Sequence, residues 1–325
     1  MRLPFGIPPR GASQVDLVGL GLNSVDLVAV VSEFPASNTK QQLVQFERLP
    51  GGEVATALVA CARLGWTTRY IGRFGSDDLG TLSRLHLERE GVGLAAAQTV
   101  EGARNRFAVI LVDRRNGERT VLWDRDAALC MQPETVAPES IVSARMLLVD
   151  TSDIEAAIEA ARVARAGGIP TMVDADEVKP GLDRLFAEID VIIVAHDVPP
   201  ALTGHREPGR ALAAMAGEFR APVLCVTLGP EGSLTRCGGQ EIRTPAFRVN
   251  CVDTTGAGDV FRGAFAAACF TSPDAELEHV LVYATAGAAL SCRAIGAQSG
   301  SPTDAEVRQL AGAGILPRGT AAQKR

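Results

Sequence analysis

Apolar residues along this chain fall into two alternating kinds of run. Short stretches rich in Val, Ile and Leu recur at 15–20, 68–72, 146–150, 170–174, 190–195 and 222–227. Between them lie longer segments with apolar residues every three or four positions, at 53–64, 78–90, 153–166, 207–219, 257–270 and 277–293. The first kind predicts buried strands and the second predicts helices with an apolar face. Their alternation predicts βαβ units, hence an α/β chain whose parallel sheet is covered by helices on both faces. Residues 26–48 and 105–123 break the rhythm, each with two strand-like runs and no helix between them. In the second, Asn116-Gly117 lies between FAVILVD and RTVLWD, a pairing that favours a hairpin. Both segments read as a small inserted β-sheet lid. Residues 1–14 and 316–325 read as loose tails.

Composition narrows the function. The chain has 325 residues, 46% hydrophobic, with a formal charge of −6 from 32 Lys and Arg against 38 Asp and Glu. That sign is wrong for an electrostatic nucleic-acid binder, and 5% aromatic residues offer little for base stacking. The most apolar stretch, Phe261 to Phe270, is interrupted at Arg262, so no membrane span is expected. Seven cysteines are scattered and never spaced C-x-x-C, which predicts neither a zinc site nor a disulfide framework and fits a reducing cytoplasm.

The chemistry concentrates in Asp253-Thr254-Thr255-Gly256-Ala257-Gly258-Asp259 and the small-residue helix that follows. Backbone N–H groups of Gly256, Ala257 and Gly258 at a helix start make an anion site. Asp259 in the first turn reads either as a helix-dipole partner or as a base for an attacking hydroxyl. Gly263, one turn on, is expected to leave open space beside the carboxylate. Asp26 sits in Gly21-Leu22-Asn23-Ser24-Val25-Asp26 after the first strand, a position open to turn formation or ligand contact. Gly19-Leu20-Gly21 starts a dinucleotide-like pattern, but Ser24 holds the third glycine position, and no Walker-type phosphate loop occurs.

The stretch DTTGAGDVFRGAF resembles the carboxy-terminal signature of the ribokinase-like (PfkB) carbohydrate kinases, and the resemblance spans roughly Val15 to Val307. Gly51-Gly52 with Ala60 to Gly65 resembles the family's diglycine signature, and Gly72 to Gly80 its G-x-D-x-x-G element. Val226 to Gly232 is similar to the strand and loop that lie along ATP. The resemblance implies one three-layer α/β sandwich over 15–312 with a β-lid, and ATP-dependent phosphorylation of a sugar hydroxyl. It implies Asp259 as the base, with Gly256, Ala257 and Gly258 supporting the transferring phosphoryl group. Asp26, Gly51 and Gly52 would hold the sugar, and Thr227, Gly229, Gly232 and Thr285 the nucleotide. ATP would come with Mg2+, and Asp253 with Thr255 would sit where relatives hold a monovalent cation such as K+. Lid edges that pair between copies imply a homodimer.

Some positions depart from the family pattern. Thr56 replaces the usual asparagine, and His196-Asp197-Val198-Pro199 replaces an Asn-x-x-Glu element tied to magnesium. These changes, with lid residues Asn105, Arg106 and Arg125, are most similar to the ketohexokinase and sulfofructose-kinase branch. A ketose or sugar-acid-like substrate follows from that similarity, with Arg106 or Arg125 meeting any anion it carries. A nucleoside kinase using Phe34, Phe46 and Phe107, or a sugar or nucleotide sensor without catalysis, are the alternatives.

Overall fold

The computed structural model describes residues 1–11, 15–115, 119–271 and 274–315. Its strands are β1 (Val15–Leu20), β2 (Ser24–Val31), β3 (Gln45–Gly51), β4 (Thr68–Ile71), β5 (Arg73–Gly75), β6 (Val92–Gly93), β7 (Gln98–Val100) and β8 (Phe107–Asp113). They continue with β9 (Arg119–Asp124), β10 (Ala144–Asp150), β11 (Thr171–Ala175), β12 (Val191–Ala195), β13 (Val223–Thr227), β14 (Ser233–Cys237) and β15 (Gln240–Thr244). The helices are α1 (Glu53–Arg63), α2 (Asp78–Arg89), α3 (Pro138–Val142), α4 (Ile154–Ala166) and α5 (Leu182–Phe186), then α6 (Val198–Thr203), α7 (Pro208–Glu218), α8 (Ala257–Thr271), α9 (Leu277–Ser291) and α10 (Asp304–Ile315).

Nine strands form one sheet in the order β15-β14-β13-β12-β11-β10-β1-β4-β6, parallel from β13 through β6. Successive strand residues point to opposite faces, which explains the short unbroken apolar runs. Leu148, Ile193 and Cys225 enter the core under α1, α8 and α9, while their neighbours Leu147, Ile192 and Leu224 enter the core under α4, α5 and α7. The result is the expected three-layer α/β sandwich. Among the described residues, no helix is long and apolar enough to cross a membrane.

Three features differ from the sequence reading. The hairpin β14–β15 extends the sheet antiparallel, turning on Gly238 and Gly239 at φ 55° and 80°; polar residues in these strands mask the alternation. The amino-terminal segment is not loose: Leu3, Phe5 and Ile7 pack on the α8–α9 core, and the Met1 carbonyl accepts from Leu277 N. Its alternating apolar residues supply the reason. Gly263 does not border open space either. A Cβ there would stand 2.3 Å from the Ala57 carbonyl oxygen, so the glycine lets α8 lie against α1.

The lid is a separate sheet in the order β3-β2-β8-β9. Two antiparallel pairs, β2–β3 and β8–β9, join through parallel pairing of β2 with β8. Asn116-Gly117 lies outside the described residues. One face has a small core of Val28, Ala108 and Ile110 with Leu49, Val112 and Ile295 against it. Every residue of β9 is exposed.

Candidate active site

All the parallel strands end at one edge of the large sheet, where ligands of open α/β sheets bind. Asp150 closes β10 and Asp174 is the last residue but one of β11 there, and α1 and α8 begin over the same edge. The diglycine works by close approach. Gly52 has φ 95°, and a Cβ on it would be 2.6 Å from the Asn23 Cα and the Leu22 carbonyl oxygen. A Cβ on Gly51 would be 2.6 Å from Asp26 Oδ2. The glycines thus seat the start of α1 against the β1–β2 connection and leave room for the Asp26 carboxylate. Asp26 is buried and accepts from Ser24 Oγ at 3.1 Å. Burial raises its pKa, while Ser24 and the Arg106 cation oppose that rise.

Gly256 has φ 75° and lies so close to Ala297 that a Cβ would meet its Cα at 2.6 Å. The Ala257 N–H donates to the Thr254 carbonyl at 3.2 Å and is therefore spent, which removes it from the expected anion hole. The N–H groups of Gly256 and Gly258 remain for that task, the latter in the first helical turn. Asp253 braces the turn: Oδ1 accepts from the N–H and hydroxyl of Thr255 at 2.9 and 2.8 Å, and Oδ2 accepts from Gly296 N at 2.8 Å. Both side chains are occupied in fixing the loop.

Asp259 stands at the start of α8, its pKa pushed well up by burial and by Asp174 against the opposing pull of Arg262. Asp174 is pushed up to about 7, chiefly by burial, with Arg262 again opposing. Glu53, in the first turn of α1, is raised by burial and by facing Asp150, Asp176, Asp174 and Asp259. Sequence reading missed Glu53, Asp150 and Arg262 as members of this floor. The signals were an acidic residue after the diglycine, an aspartate ending a buried strand, and an arginine inside an apolar helix.

A small pocket beside the root of the lid is lined by Asn23, Tyr70, Arg73, Arg106, Arg125 and Asp153. Arg106 lies over the Trp123 ring at 5.4 Å. Arg125 pairs with both oxygens of Asp153 at 3.0 and 2.7 Å. Asn105 differs from its expected role: it is 1% exposed, accepts from Gly75 N at 3.0 Å and donates to the Arg106 carbonyl at 3.0 Å, so it braces the lid root. Arg119 of β9 donates to Thr254 Oγ1 at 3.0 Å, linking the lid to the turn before α8.

On the nucleotide side, Thr227 ends β13, and Gly229 and Gly232 follow at φ 54° and 91°. A Cβ on Gly232 would collide with the Thr244 carbonyl at 2.0 Å, so the loop after β13 needs glycine to pass β15. Thr285 departs from expectation: its buried hydroxyl donates to the Leu281 carbonyl one turn back in α9 at 2.7 Å. His196 and Asp197 are both largely exposed at the start of α6.

The pfkB family carbohydrate kinase model matches residues 14–304, nearly the whole fold just described. The chain is a PfkB-family carbohydrate kinase. It is 28% identical over 292 residues to a ribokinase of Bacillus subtilis, covering 90% of this chain and 97% of that one. It is 27% identical over 325 residues to fructokinase-2 of Solanum lycopersicum, covering 93% and 98%. Among solved structures, the Arabidopsis thaliana ribokinase complexed with ribose and ATP superposes with a TM-score of 0.79 at 24% identity, covering 92% of this kinase and 99% of that chain. That likeness is one of fold, and it shows ATP held by a ribokinase-like kinase.

Proposed function

We propose that this kinase transfers the γ-phosphoryl group of ATP to a hydroxyl of a small sugar, a ketose or sugar-acid-like compound. The observation that carries the reading is the placement of Asp259: a carboxylate in the first turn of α8, beside the backbone N–H groups of Gly256 and Gly258 and facing Asp174. Asp26 accepts hydrogen bonds from sugar hydroxyls. Asp259 takes the proton from the attacking hydroxyl as its oxygen bonds to the γ-phosphorus and the bond to ADP breaks. The N–H groups of Gly256 and Gly258 face the charge that develops on the transferring group.

Mg2+ neutralises phosphate charge when bound. Among the described residues no three His, Cys, Asp or Glu side chains converge to cage a metal. Mg2+ in kinase sites usually keeps several waters and is held by substrate phosphates with one or two carboxylates. A K+ near Asp253 and Thr255 belongs to the same proposal, as do a cytoplasmic setting and a homodimer. Exposed Phe46, Val121, Leu122 and Trp123 on the lid strands support the pairing of two lids.

Strand register separates two phenylalanines of the nucleoside alternative, Phe46 and Phe107, from Asp26. Asp26 lies beside Leu49 and Ala108, and Ala108 beside Trp123, so these share one lid face. Phe46 and Phe107 sit one residue out of that phase and point to the other face. An ADP-release screen across ketoses, sugar acids, sugar phosphates and nucleosides, with Mg2+ and K+ present, tests the assignment. A ketose or sugar acid is expected to give the highest kcat/KM; preference for a nucleoside, or no turnover with any sugar, would refute it.

A further inference from the structure

An arginine buried in a helix of small apolar residues needs a reason. Arg262 is 3% exposed, as is Asp174, and the two meet at 2.7 Å. The guanidinium also donates to the Ile193 carbonyl at 3.1 Å, and its Nη1 lies 2.7 Å from where a Cβ on Gly258 would stand. The ion pair therefore sits directly beneath the turn that begins α8. Asp174 Oδ2 is buried and has no donor. A buried acceptor left empty is costly, and its neighbour is another acceptor, the carboxylate of Asp259.

A proton on Asp259 resolves that arrangement. We propose that Arg262 and Asp174 are positioning residues that hold Asp259 in place and receive its hydrogen bond once it has taken the substrate proton. The hydroxyl proton moves to Asp259, the new Asp259 O–H donates to Asp174 Oδ2, and Arg262 keeps Asp174 ionised to accept it. No bond other than those of the phosphoryl transfer is made or broken. This role rests on Asp259 being the base. The charged groups around the pair come from several elements: Asp176 beyond β11, Asp150 at the end of β10, Glu53 at the start of α1, and Lys179, which pairs with Glu177 at 2.7 Å. Amid four other carboxylates, Arg262 is the cation in ion-pair contact with Asp174, so its loss should raise the proton affinity of both members.

The test titrates aspartate carboxyls by 13C NMR in the free protein and measures kcat against pH. Arg262→Met should move the upper aspartate titration and the acid limb of kcat upward by about one unit or more, with KM for ATP unchanged. Arg262→Lys should restore most of that shift. Asp174→Asn should move both downward and lower the plateau of kcat by about ten- to hundredfold, the worth of a charge-assisted hydrogen bond. Identical titrations in all variants, with kcat lowered equally at every pH, would reduce the pair to a structural one and overturn the proposal. Should Arg262→Met fail to fold, Arg262→Lys and Asp174→Asn carry the same test. The NMR arm reads the coupling without any sugar, so a shifted titration in a protein that turns nothing over would refute the kinase chemistry and not the pair.

Discussion

The floor of the cleft and its lid solve opposite problems. The floor, where α1 and α8 cross the sheet edge, is close-packed: Gly263 touches the Ala57 carbonyl, Gly256 touches Ala297, and Arg262 is sealed against Asp174. The lid has a core of a few side chains, a wholly exposed outer strand, and Arg119 reaching back to Thr254. On the proposed reading, dense packing fixes the base and the anion-binding backbone, because reacting groups tolerate little displacement. A thin sheet with a small core can move over substrate at low cost. The contrast fits the proposed division, with chemistry on the rigid side and access on the loose side.

Substitutions can break or sharpen this contrast. The largest effect is expected at Asp259→Asn, which keeps the shape but removes the base: kcat should fall about 10²–10⁴-fold with ATP affinity nearly intact, checked by ADP release and nucleotide titration. Gly51→Ala comes next. Its methyl would intrude on Asp26, so KM for sugar should rise about ten- to hundredfold, while KM for ATP stays put. Gly263→Val forces α8 from α1 and should cost about 1–3 kcal/mol in denaturant unfolding, whatever its effect on catalysis.

The two sides should also separate by pH. Both Asp26 and Asp259 have raised pKa values from burial, but Asp259 is raised further because Asp174 faces it. Each must be ionised to work, so activity is lost as pH falls. Asp259 takes its proton first, and the acid limb of kcat should lie at higher pH than the acid limb of sugar binding; the reverse order would undo the assignment of the two roles. The smallest effect is expected at Trp123→Ala. On an exposed lid strand it should change stability by no more than about 0.5 kcal/mol, although the mass of the protein in solution would drop if two lids pair.

Much of the fold was legible because the parallel strands are buried on both faces and so are apolar without interruption. The hairpin β14–β15 was not, since an edge pair carrying Arg236, Glu241 and Arg243 has no continuous apolar run. The glycines singled out in the sequence sit where the backbone needs them at Gly52 and Gly256, both at positive φ and against neighbouring backbone. The site was not legible where a side chain's role depends on its partner. Asn105 and Thr285 have ligand-binding chemistry but turn inward to backbone groups, and Ala257 gives its N–H to Thr254.

The sequence by itself determined the alternation that makes the α/β sandwich and the lid as two strand pairs, and it singled out Asp26 and Asp259 as candidates. These depend on local periodicity and on residue types with few physical substitutes. Only the tertiary structure decided what surrounds them. Glu53, Asp150, Asp174 and Arg262 come from four elements distant in sequence, and their charges act on one another because folding places them together out of water, where electrostatic interactions are strongest. No linear pattern records that convergence.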